Sequence, residues 1–483
     1  MNTGFTQVAP PAHRSDRKGE DTWIVVRTGL LTWTRPGSLD GENRTTLLQI
    51  GYQVRGSISM PQSLRRIAML TSRYPAISHT FIWRDVISLR KQGLEVHTCS
   101  LNKPGESDLL TEEYRGEFLG TFYIKGVSPA AIALAHLNRM FRSPARYLSS
   151  LYFAIRTQRG GIKKLLYNVF YFVEGGILAH WAQCKGIEHI FVHFAHASAA
   201  AMYASKMGGP SYSIRVHGSD IFYDCPGHYL KEKFAGATAL VCISDFCRSQ
   251  VLCMLPPEQW SKVSVVRCGL DPELFLPQRQ RPNDAQETVV FLCVARLLRA
   301  KGLHFLLHAC QALRKKGIQL KCILVGDGPA REELERLTDQ LGLRACVEFA
   351  GAVGQDRIQE YYDKADAFVL PSFAEGVPVV LMEAMSKEIP VITTQIMGIP
   401  ELVNDGVNGL LVPPANEEAL VHAMLRLAAD PPLRRRLGQA GRKRVIAEYN
   451  QEINVPQLAP ILQHVTARKP APKTAPIGIA EEL

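Results

Sequence analysis

The chain of 483 residues is 46% hydrophobic and 21% charged, and its formal net charge is +11 at pH 7. This length provides for two or three domains with separate cores, and the composition excludes a fibrous or wholly disordered protein. No segment reaches the roughly 18 apolar residues of a membrane span, and the first 20 residues lack the apolar core of a signal peptide, so we expect a cytoplasmic protein. The 11 cysteines form no C-x-x-C pair, so we expect reduced cysteines and no metal site.

The two ends of the chain differ from its middle. Residues 1–63 are polar and lack sustained periodicity, which predicts a poorly structured N-terminal extension. Residues 469–483, rich in proline, alanine and lysine, are predicted to form a flexible tail. The sequence leaves open whether residues 1–59 belong to the functional chain, because Met60 lies just before the first convincing strand.

Strand and helix patterns alternate over residues 64–275, which predicts a Rossmann-like domain with a parallel sheet. Ile67–Thr71 is a short apolar strand, a helix is expected from about Thr80 to Gln92, and Val96–Leu101 is the next strand. The later strands are expected at Ile190–His193, Tyr212–Val216, Leu240–Ile243 and Val263–Val266.

A basic and apolar helical segment interrupts this alternation at about residues 128–183. Residues 64–277 hold 24 Lys and Arg against 16 Asp and Glu, so an anionic surface or acceptor is expected on this half of the chain. The segment is interpreted either as a helical layer packed on its own domain or as a peripheral contact with the inner face of the plasma membrane. We expect no nucleic-acid partner, because the chain lacks a recognised nucleic-acid-binding motif.

A second Rossmann-like domain is predicted over residues 276–450, after the proline-containing connection at about Leu270–Glu287. Val289–Ala295 is a buried strand, and the helix Leu303–Lys315 places its leucines on one stripe. Further strands are expected at Cys322–Val325, Val347–Phe349, Ala367–Leu370 and Val391–Thr393. Residues 451–468 are expected to form a terminal helix that returns toward the N-terminal domain.

The strongest chemical signal is the segment from Phe373 to Ala384, which directly follows a strand. Gly376 lets the backbone approach a ligand, and Pro378 suits the first turn of a helix, so free amides at this helix start form an anion site. Glu375 lies in the loop and Glu383 lies two turns along the helix. Carboxylates bind polyhydroxylated ligands by accepting two hydrogen bonds each, so one is expected to reach a sugar and the other a ribose.

Positive charge for a bound phosphate comes from the segment Ala295–Gly302. Arg296 lies where the first strand of the second domain ends, the edge at which open α/β sheets bind ligands. Lys301 follows five positions later, near the start of the next helix. Together they are expected to bracket a diphosphate and to stabilise the charge that grows as it leaves.

These two segments resemble those of the retaining family-4 glycosyltransferases, which have the GT-B fold: α/β, with two Rossmann-like domains facing each other across a cleft. That family shows an Arg-Leu…Lys-Gly segment and a Glu-x7-Glu segment in its C-terminal domain. The resemblance covers about residues 64–466 and also rests on Val325–Pro329, Glu348–Gly351, Gly398–Glu401 and Asn408–Val412. Four further segments resemble the exopolysaccharide branch of the family, which includes colanic acid enzymes: Ser72–Phe81, His193–His196, Val216–Asp220 and Val266–Asp271.

The resemblance implies a role for each matched residue. Arg296 and Lys301 would bind the diphosphate, Glu375 the donor sugar and Glu383 the ribose. The resemblance also places His217 near the reacting sugar or the acceptor. The donor-binding segment consists of Gly376, Val377, Pro378 and Val379, and the backbone amides around it would hold phosphate and sugar.

The acceptor side is matched less closely. Ser78, His193 and Asp220 are the candidate residues there, and the glycine pair with which family members often begin is replaced by Ser72–Ser78. The implied catalytic residues are His217, Glu375, Arg296 and Lys301. A retaining reaction on one face of the sugar needs no protein nucleophile, and the absence of an Asp-x-Asp motif leads us to expect no metal.

The resulting hypothesis is a hexosyltransferase, of the EC 2.4 class, that uses a nucleotide-diphosphate sugar as co-substrate, without a cofactor, and a lipid-linked or oligosaccharide acceptor. Two alternatives stay open: a non-hydrolysing sugar-nucleotide epimerase with the same two-domain shape, and a non-catalytic scaffold of a polysaccharide-assembly complex. The sequence alone decides neither the base and sugar of the donor nor the acceptor.

Overall fold

The computed structural model describes residues 66–76, 80–109, 111–156, 162–218, 229–277, 288–354 and 357–467. The predicted extension (1–63), the predicted tail (469–483) and the candidate residues Ser78 and Asp220 lie outside these ranges.

The first half of the chain forms a parallel sheet, seven-stranded over the described ranges, with the order β3-β2-β1-β4-β5-β6-β7. All of its strands point the same way, so their carboxyl ends lie at one edge. His193, the last residue of β4, pairs with Arg215 of β5. The strands are β1 Arg66–Arg73, β2 Glu95–Asn102, β3 Phe122–Tyr123, β4 His189–His193, β5 Ser211–Val216, β6 Ala239–Cys242 and β7 Val263–Val265.

Helices connect these strands, and three consecutive ones lie between β3 and β4. The helices are α1 Thr80–Lys91, α2 Glu112–Gly120, α3 Pro129–Arg142, α4 Pro144–Arg156, α5 Ile162–Cys184, α6 Ser198–Lys206, α7 Leu230–Gly236 and α8 Asp245–Met254. Two glycines inside α5 permit close packing: a Cβ on Gly175 would lie 2.5 Å from the Cβ of Tyr203 in α6, and one on Gly176 would collide with the His136 ring of α3.

The second half forms another parallel sheet, six-stranded over the described ranges, with the order β10-β9-β8-β11-β12-β13. Its strands are β8 Val289–Val294, β9 Leu320–Val325, β10 Val347–Gly351, β11 Ala367–Leu370, β12 Val391–Thr394 and β13 Leu410–Val412. Its helices are α9 Leu303–Lys315, α10 Arg331–Gln340, α11 Ile358–Lys364, α12 Val379–Ser386, α13 Ile399–Leu402, α14 Glu417–Ala429 and α15 Pro431–Glu448. The predicted bounds of α9 are confirmed, and its leucine stripe is buried.

The chain ends with α16 Gln451–Asn454 and α17 Leu458–Ala467, joined by one 3-10 turn. Leu458 and Leu462 of α17 belong to the same hydrophobic cluster as Ile67 of β1 and Ile82 of α1. The C-terminal helix therefore packs against the first sheet and its helices rather than against the sheet that precedes it in sequence.

The predicted α/β class with two Rossmann-like domains is confirmed by these two parallel sheets. In the ranges that the structure describes, no helix is both long enough and apolar enough to cross a membrane.

Candidate active site

Two loops at the carboxyl edge of the second sheet are joined through their backbones. One follows β8 and the other follows β11, its neighbour in the sheet. The Phe373 N–H donates a hydrogen bond to the Ala300 carbonyl at 2.8 Å. Gly302 has φ +64°, and a Cβ there would collide with the Pro371 carbonyl oxygen. The loop with the two candidate cations and the loop with the first candidate carboxylate are thus held together before any ligand binds.

Lys301 and Glu375 form an ion pair between these loops. The Lys301 Nζ donates to Glu375 Oε1 at 2.6 Å, and the Ser372 hydroxyl donates to the same oxygen at 2.7 Å. Glu375 is buried, and its Oε2 accepts no hydrogen bond from the part of the chain that the structure describes. One carboxylate oxygen is therefore fixed by the protein, and the other is left for a ligand hydroxyl.

Glu383 is the second carboxylate of this edge, and it is fully enclosed in α12. The Tyr362 hydroxyl of α11 donates to Glu383 Oε2 at 2.8 Å. Burial raises the pKa of Glu383 to about 7, against the lowering effects of this hydrogen bond and of the positive charge of Arg84. An arginine of α1, in the first half of the chain, thus acts electrostatically on a carboxylate of the second half.

Arg296 lies two residues beyond the end of β8 and is exposed. Its guanidinium forms no hydrogen bond or ion pair with any described residue, whereas Lys301 is paired. The structure therefore places both cations on one loop at the sheet edge, and Arg296 is the one whose charge is not offset by a carboxylate. A planar guanidinium with five donors suits a diphosphate in this position.

The loop before α12 contacts the first half of the chain. A Cβ on Gly376 would collide with the His217 carbonyl oxygen, and one on Gly398 would lie 2.5 Å from the Gly376 oxygen. The backbone next to Gly376 therefore leaves no room for a side chain at this position. This packing explains the glycine in addition to the predicted approach of a ligand. Pro378 directly precedes α12 as its N-cap rather than lying in its first turn, and Val377 beside it is buried.

His217 follows β5 and is held among aromatic rings. The centroids of the Phe81 and Phe194 rings lie 4.9 Å and 4.4 Å from its own. Its Nε2 lies 3.2 Å from His193 Nδ1, and its Nδ1 lies 3.9 Å from the Cys268 Sγ. Both ring nitrogens face protein atoms, so a substrate would reach one of them only after the ring rotates.

Five side chains near these sites were missed by the sequence analysis. Ser372 and Tyr362 hold the two carboxylates, as described above. Asp85 of α1 is buried and pairs with the buried Arg215 of β5. The Arg84 Nη1 is buried and has no hydrogen-bond partner among the described residues. Only Ser372 carried a usable signal, because it lies two residues after the end of β11, where ligand-facing residues of a parallel sheet concentrate.

Glu401 of α13 connects the two sheets at the start of α8. Its Oε2 accepts from the Asp245 N–H at 2.9 Å, and its Oε1 accepts from the Phe246 N–H at 2.8 Å. Arg267 lies within 4.0 Å of Glu401 Oε2. A carboxylate at the positive end of a helix is stabilising, so this contact holds the two halves of the chain together.

A glycosyltransferase is the class of protein that this fold and site define. Two parallel sheets meet near the His217 and Gly376 loops, and the edge of the second sheet carries two cations and two buried carboxylates. Such an edge can hold a ligand that is both doubly phosphorylated and rich in hydroxyls.

The comparisons with known proteins identify the family. The family model described as "Glycosyl transferases group 1" matches residues 276–444. The amylovoran biosynthesis glycosyltransferase AmsK of Erwinia amylovora is 33% identical over 291 residues, which cover 57% of this chain and 69% of that protein. The chain therefore belongs to the group 1 glycosyl transferases, and it is a transferase enzyme, as predicted.

Two further comparisons extend this similarity over most of the chain. The putative colanic acid biosynthesis glycosyltransferase WcaL of Salmonella typhimurium is 28% identical over 417 residues, which cover 83% of this chain and 100% of that protein. The structure of Alr3699/HepE from Anabaena in complex with UDP has a TM-score of 0.62 at 16% identity, and it covers 83% of this chain and 100% of that one. The predicted GT-B architecture is thereby confirmed.

Proposed function

We propose that the protein is a retaining glycosyltransferase of the family-4 type, which transfers a hexose from a nucleotide-diphosphate sugar to a lipid-linked or oligosaccharide acceptor in bacterial exopolysaccharide biosynthesis. The observation that carries this proposal is the ion pair between Lys301 and Glu375, 2.6 Å long, which joins the loops after β8 and β11. It puts a phosphate-binding cation beside a carboxylate that has one oxygen left for a sugar hydroxyl.

The relatives support the pathway and the class of donor. Those named for amylovoran and colanic acid biosynthesis match the chain over 57% and 83% of its length. HepE, which shares the fold, was solved in complex with UDP. A uridine-diphosphate hexose is therefore our first choice of donor, and an intermediate of polysaccharide assembly is our first choice of acceptor.

The chemistry follows from the charges at the sheet edge. Arg296 and Lys301 bind the diphosphate, and Lys301 is then shared between phosphate and Glu375. The bond between the anomeric carbon and the phosphate oxygen breaks as the acceptor oxygen bonds to the same face of that carbon. The leaving diphosphate takes the proton of the acceptor hydroxyl, and the two cations stabilise its growing charge. Glu375 orients the sugar, Glu383 binds the ribose, and no metal ion takes part.

Helices α3 to α5 support a peripheral position on an anionic membrane. These helices expose more large apolar side chains than the surface of a soluble domain usually does. The exposed residues are Leu134, Leu137, Phe141, Leu148, Tyr152, Ile155, Leu166, Tyr167 and Phe170. Arg142, Arg146 and Arg156 lie on the same helices and are also exposed. Exposed apolar side chains and exposed arginines on the same helices suit a bilayer with anionic headgroups, so we propose that these helices rest on the inner face of the plasma membrane.

Transfer assays with purified enzyme test the proposal. The protein is incubated with a panel of nucleotide sugars and with lipid-linked saccharides and free oligosaccharides, and products are measured by mass spectrometry. We expect transfer from one donor class, and NMR of the product should show the anomeric configuration of the donor. Lys301→Ala should abolish most transfer, whereas Lys315→Ala, on the exposed end of α9, serves as the control. Epimerisation of the donor without an acceptor, or an inverted product, would contradict the proposal.

A further inference from the structure

A closed ring of five polar side chains surrounds the buried ends of β4 and β5. Arg215 is paired with Asp85, and its Nη2 donates to the Cys268 Sγ at 3.6 Å. Cys268 lies 3.9 Å from His217, His217 lies 3.2 Å from His193, and His193 Nε2 lies 3.6 Å from Asp85 Oδ2. All five side chains are more than 90% buried. The ring therefore links α1 to the His217 loop after β5 through side chains alone.

The donor and acceptor of each contact can be assigned from chemistry. Arg215 only donates, so the Cys268 sulfur accepts from it and keeps its own hydrogen for His217 Nδ1. Burial raises the pKa of the Cys268 thiol, which favours this protonated form. His217 Nδ1 is then an acceptor, so the proton of this ring is on Nε2 and is donated to His193 Nδ1.

The tautomer of His193 follows from that of His217. Because His193 Nδ1 accepts, the proton of that ring is on Nε2, which lies 3.6 Å from Asp85 Oδ2 and makes an electrostatic contact with it rather than a direct hydrogen bond. Asp85 also accepts from Arg215. Burial raises the pKa of the Asp85 carboxyl to about 6 and the charge of Arg215 opposes this shift, so the carboxylate is ionised at pH 7.5. If each histidine instead carried its proton on Nδ1, the unprotonated Nε2 of His193 would face the ionised Asp85 carboxylate, and the two lone pairs would repel each other.

We propose that His193 and Asp85 are positioning residues for His217: they hold it as a neutral imidazole with its proton on Nε2, at the point where the His217 loop contacts Gly376 of the donor loop. The sequence predicted that His193 contacts the acceptor. In the structure His193 is fully buried, so a positioning role is the one that its surroundings support. A neutral ring adds no positive charge beside a sugar that itself becomes positively charged as its bond to phosphate breaks. The catalytic consequence rests on the proposed function, whereas the protonation state of the ring does not.

The protonation state can be measured without any substrate. In the full-length protein labelled with 15N-histidine, long-range proton–nitrogen spectra distinguish a protonated ring nitrogen from an unprotonated one, and His217→Gln assigns the signal. We expect a pyridine-like Nδ1 and a pyrrole-like Nε2 for His217 at pH 7.5. A protonated Nδ1, with or without a proton on Nε2, would overturn the proposal.

Two substitutions of His193 separate positioning from packing. His193→Phe keeps an aromatic ring among Phe81, Phe191 and His217 but removes both nitrogens. His193→Gln keeps an acceptor for His217 and a donor for Asp85. We expect His193→Phe to lower kcat on the order of 100-fold, as misplaced groups do, with the donor KM changed less than about twofold. His193→Gln should restore most of kcat.

The results of these experiments distinguish a failure of the positioning role of His193 from a failure of the proposed glycosyltransferase function. Equal activity of wild type and a folded His193→Phe enzyme would overturn the positioning role, and so would an equal loss in both variants. If the wild type transfers no sugar from any donor, the proposed function fails, but the 15N spectra of wild type and His193→Phe still decide whether His193 holds the His217 tautomer. Circular dichroism and thermal unfolding of each variant establish that it is folded.

Discussion

Replacing Glu383 by glutamine should stabilise the unliganded enzyme and at the same time weaken donor binding. The carboxyl group is buried, and its pKa is about 7, compared with 4.5 for an exposed glutamate. Between pH 4.5 and pH 7, Glu383 keeps its proton in the folded state but has lost it in the unfolded chain. The group's contribution to stability is therefore complete below pH 4.5 and is lost as the pH rises through 7.

The size of the effect follows from this difference. At about 1.4 kcal/mol for each pH unit, an ionised Glu383 destabilises the fold by about 3 kcal/mol at pH 8. A neutral glutamine avoids this penalty, and its amide oxygen still accepts the Tyr362 hydrogen bond. We expect Glu383→Gln to be about 3 kcal/mol more stable at pH 8 and about 1 kcal/mol more stable at pH 5. Thermal unfolding at pH 8 should shift upward by roughly 6 to 12 °C when the second half of the chain unfolds as one cooperative domain of about 150 to 250 residues.

Donor binding should respond in the opposite direction. A ribose donates two hydroxyl hydrogens, so it binds the ionised carboxylate and lowers its pKa. The affinity of the wild type should fall by up to about tenfold for each pH unit below 7, whereas that of the variant should be weak and independent of pH. Glu418→Gln, on the exposed start of α14, is the matched control. A Glu383→Gln variant that gains no stability at pH 8, or whose gain does not depend on pH, would show that the buried Glu383 does not have a raised pKa.

Three further predictions address other parts of the molecule. Arg296→Ala and Lys301→Ala should each lower turnover by about two orders of magnitude in steady-state assays, because each removes a charge from the leaving diphosphate; activity within about threefold of wild type would contradict this role. Glu401→Ala should lower the free energy of unfolding by about 1 to 2 kcal/mol in denaturant titrations, because two amides at the start of α8 lose their acceptor; an unchanged midpoint would exclude the contact as a link between the halves. Full-length enzyme should sediment with vesicles containing anionic lipid at low salt and be released at high salt, and Leu137→Glu with Phe141→Glu should prevent binding; no sedimentation of the wild type at low salt would remove the membrane proposal.

The fold was largely predictable because its signals are local and periodic. Alternating apolar strands and amphipathic helices such as Leu303–Lys315 reveal parallel sheets, and parallel sheets bring strand ends to one edge. That edge is why Lys301 and Glu375, 74 residues apart, could be expected near each other, and the structure shows them in direct contact. The roles assigned to them stay predictions until activity is measured.

The partners of these residues were not predictable, because they depend on the direction of single side chains. Asp85 in α1 reads as an ordinary polar residue of an exposed helix face, and only the tertiary structure shows that it faces Arg215, 130 residues later. The same holds for Tyr362, whose hydroxyl reaches Glu383 from another helix. Gly376 was expected to make room for a ligand, and the structure adds the backbone of His217 as a close neighbour.

A crystal structure with the nucleoside diphosphate that most raises the unfolding temperature tests the central claim most directly. The account predicts that the two phosphates contact Arg296 and Lys301, that the ribose hydroxyls contact Glu383, and that Glu375 Oε2 faces the space for the sugar. A nucleotide bound elsewhere, or one whose phosphates leave Lys301 and Arg296 untouched, would contradict it.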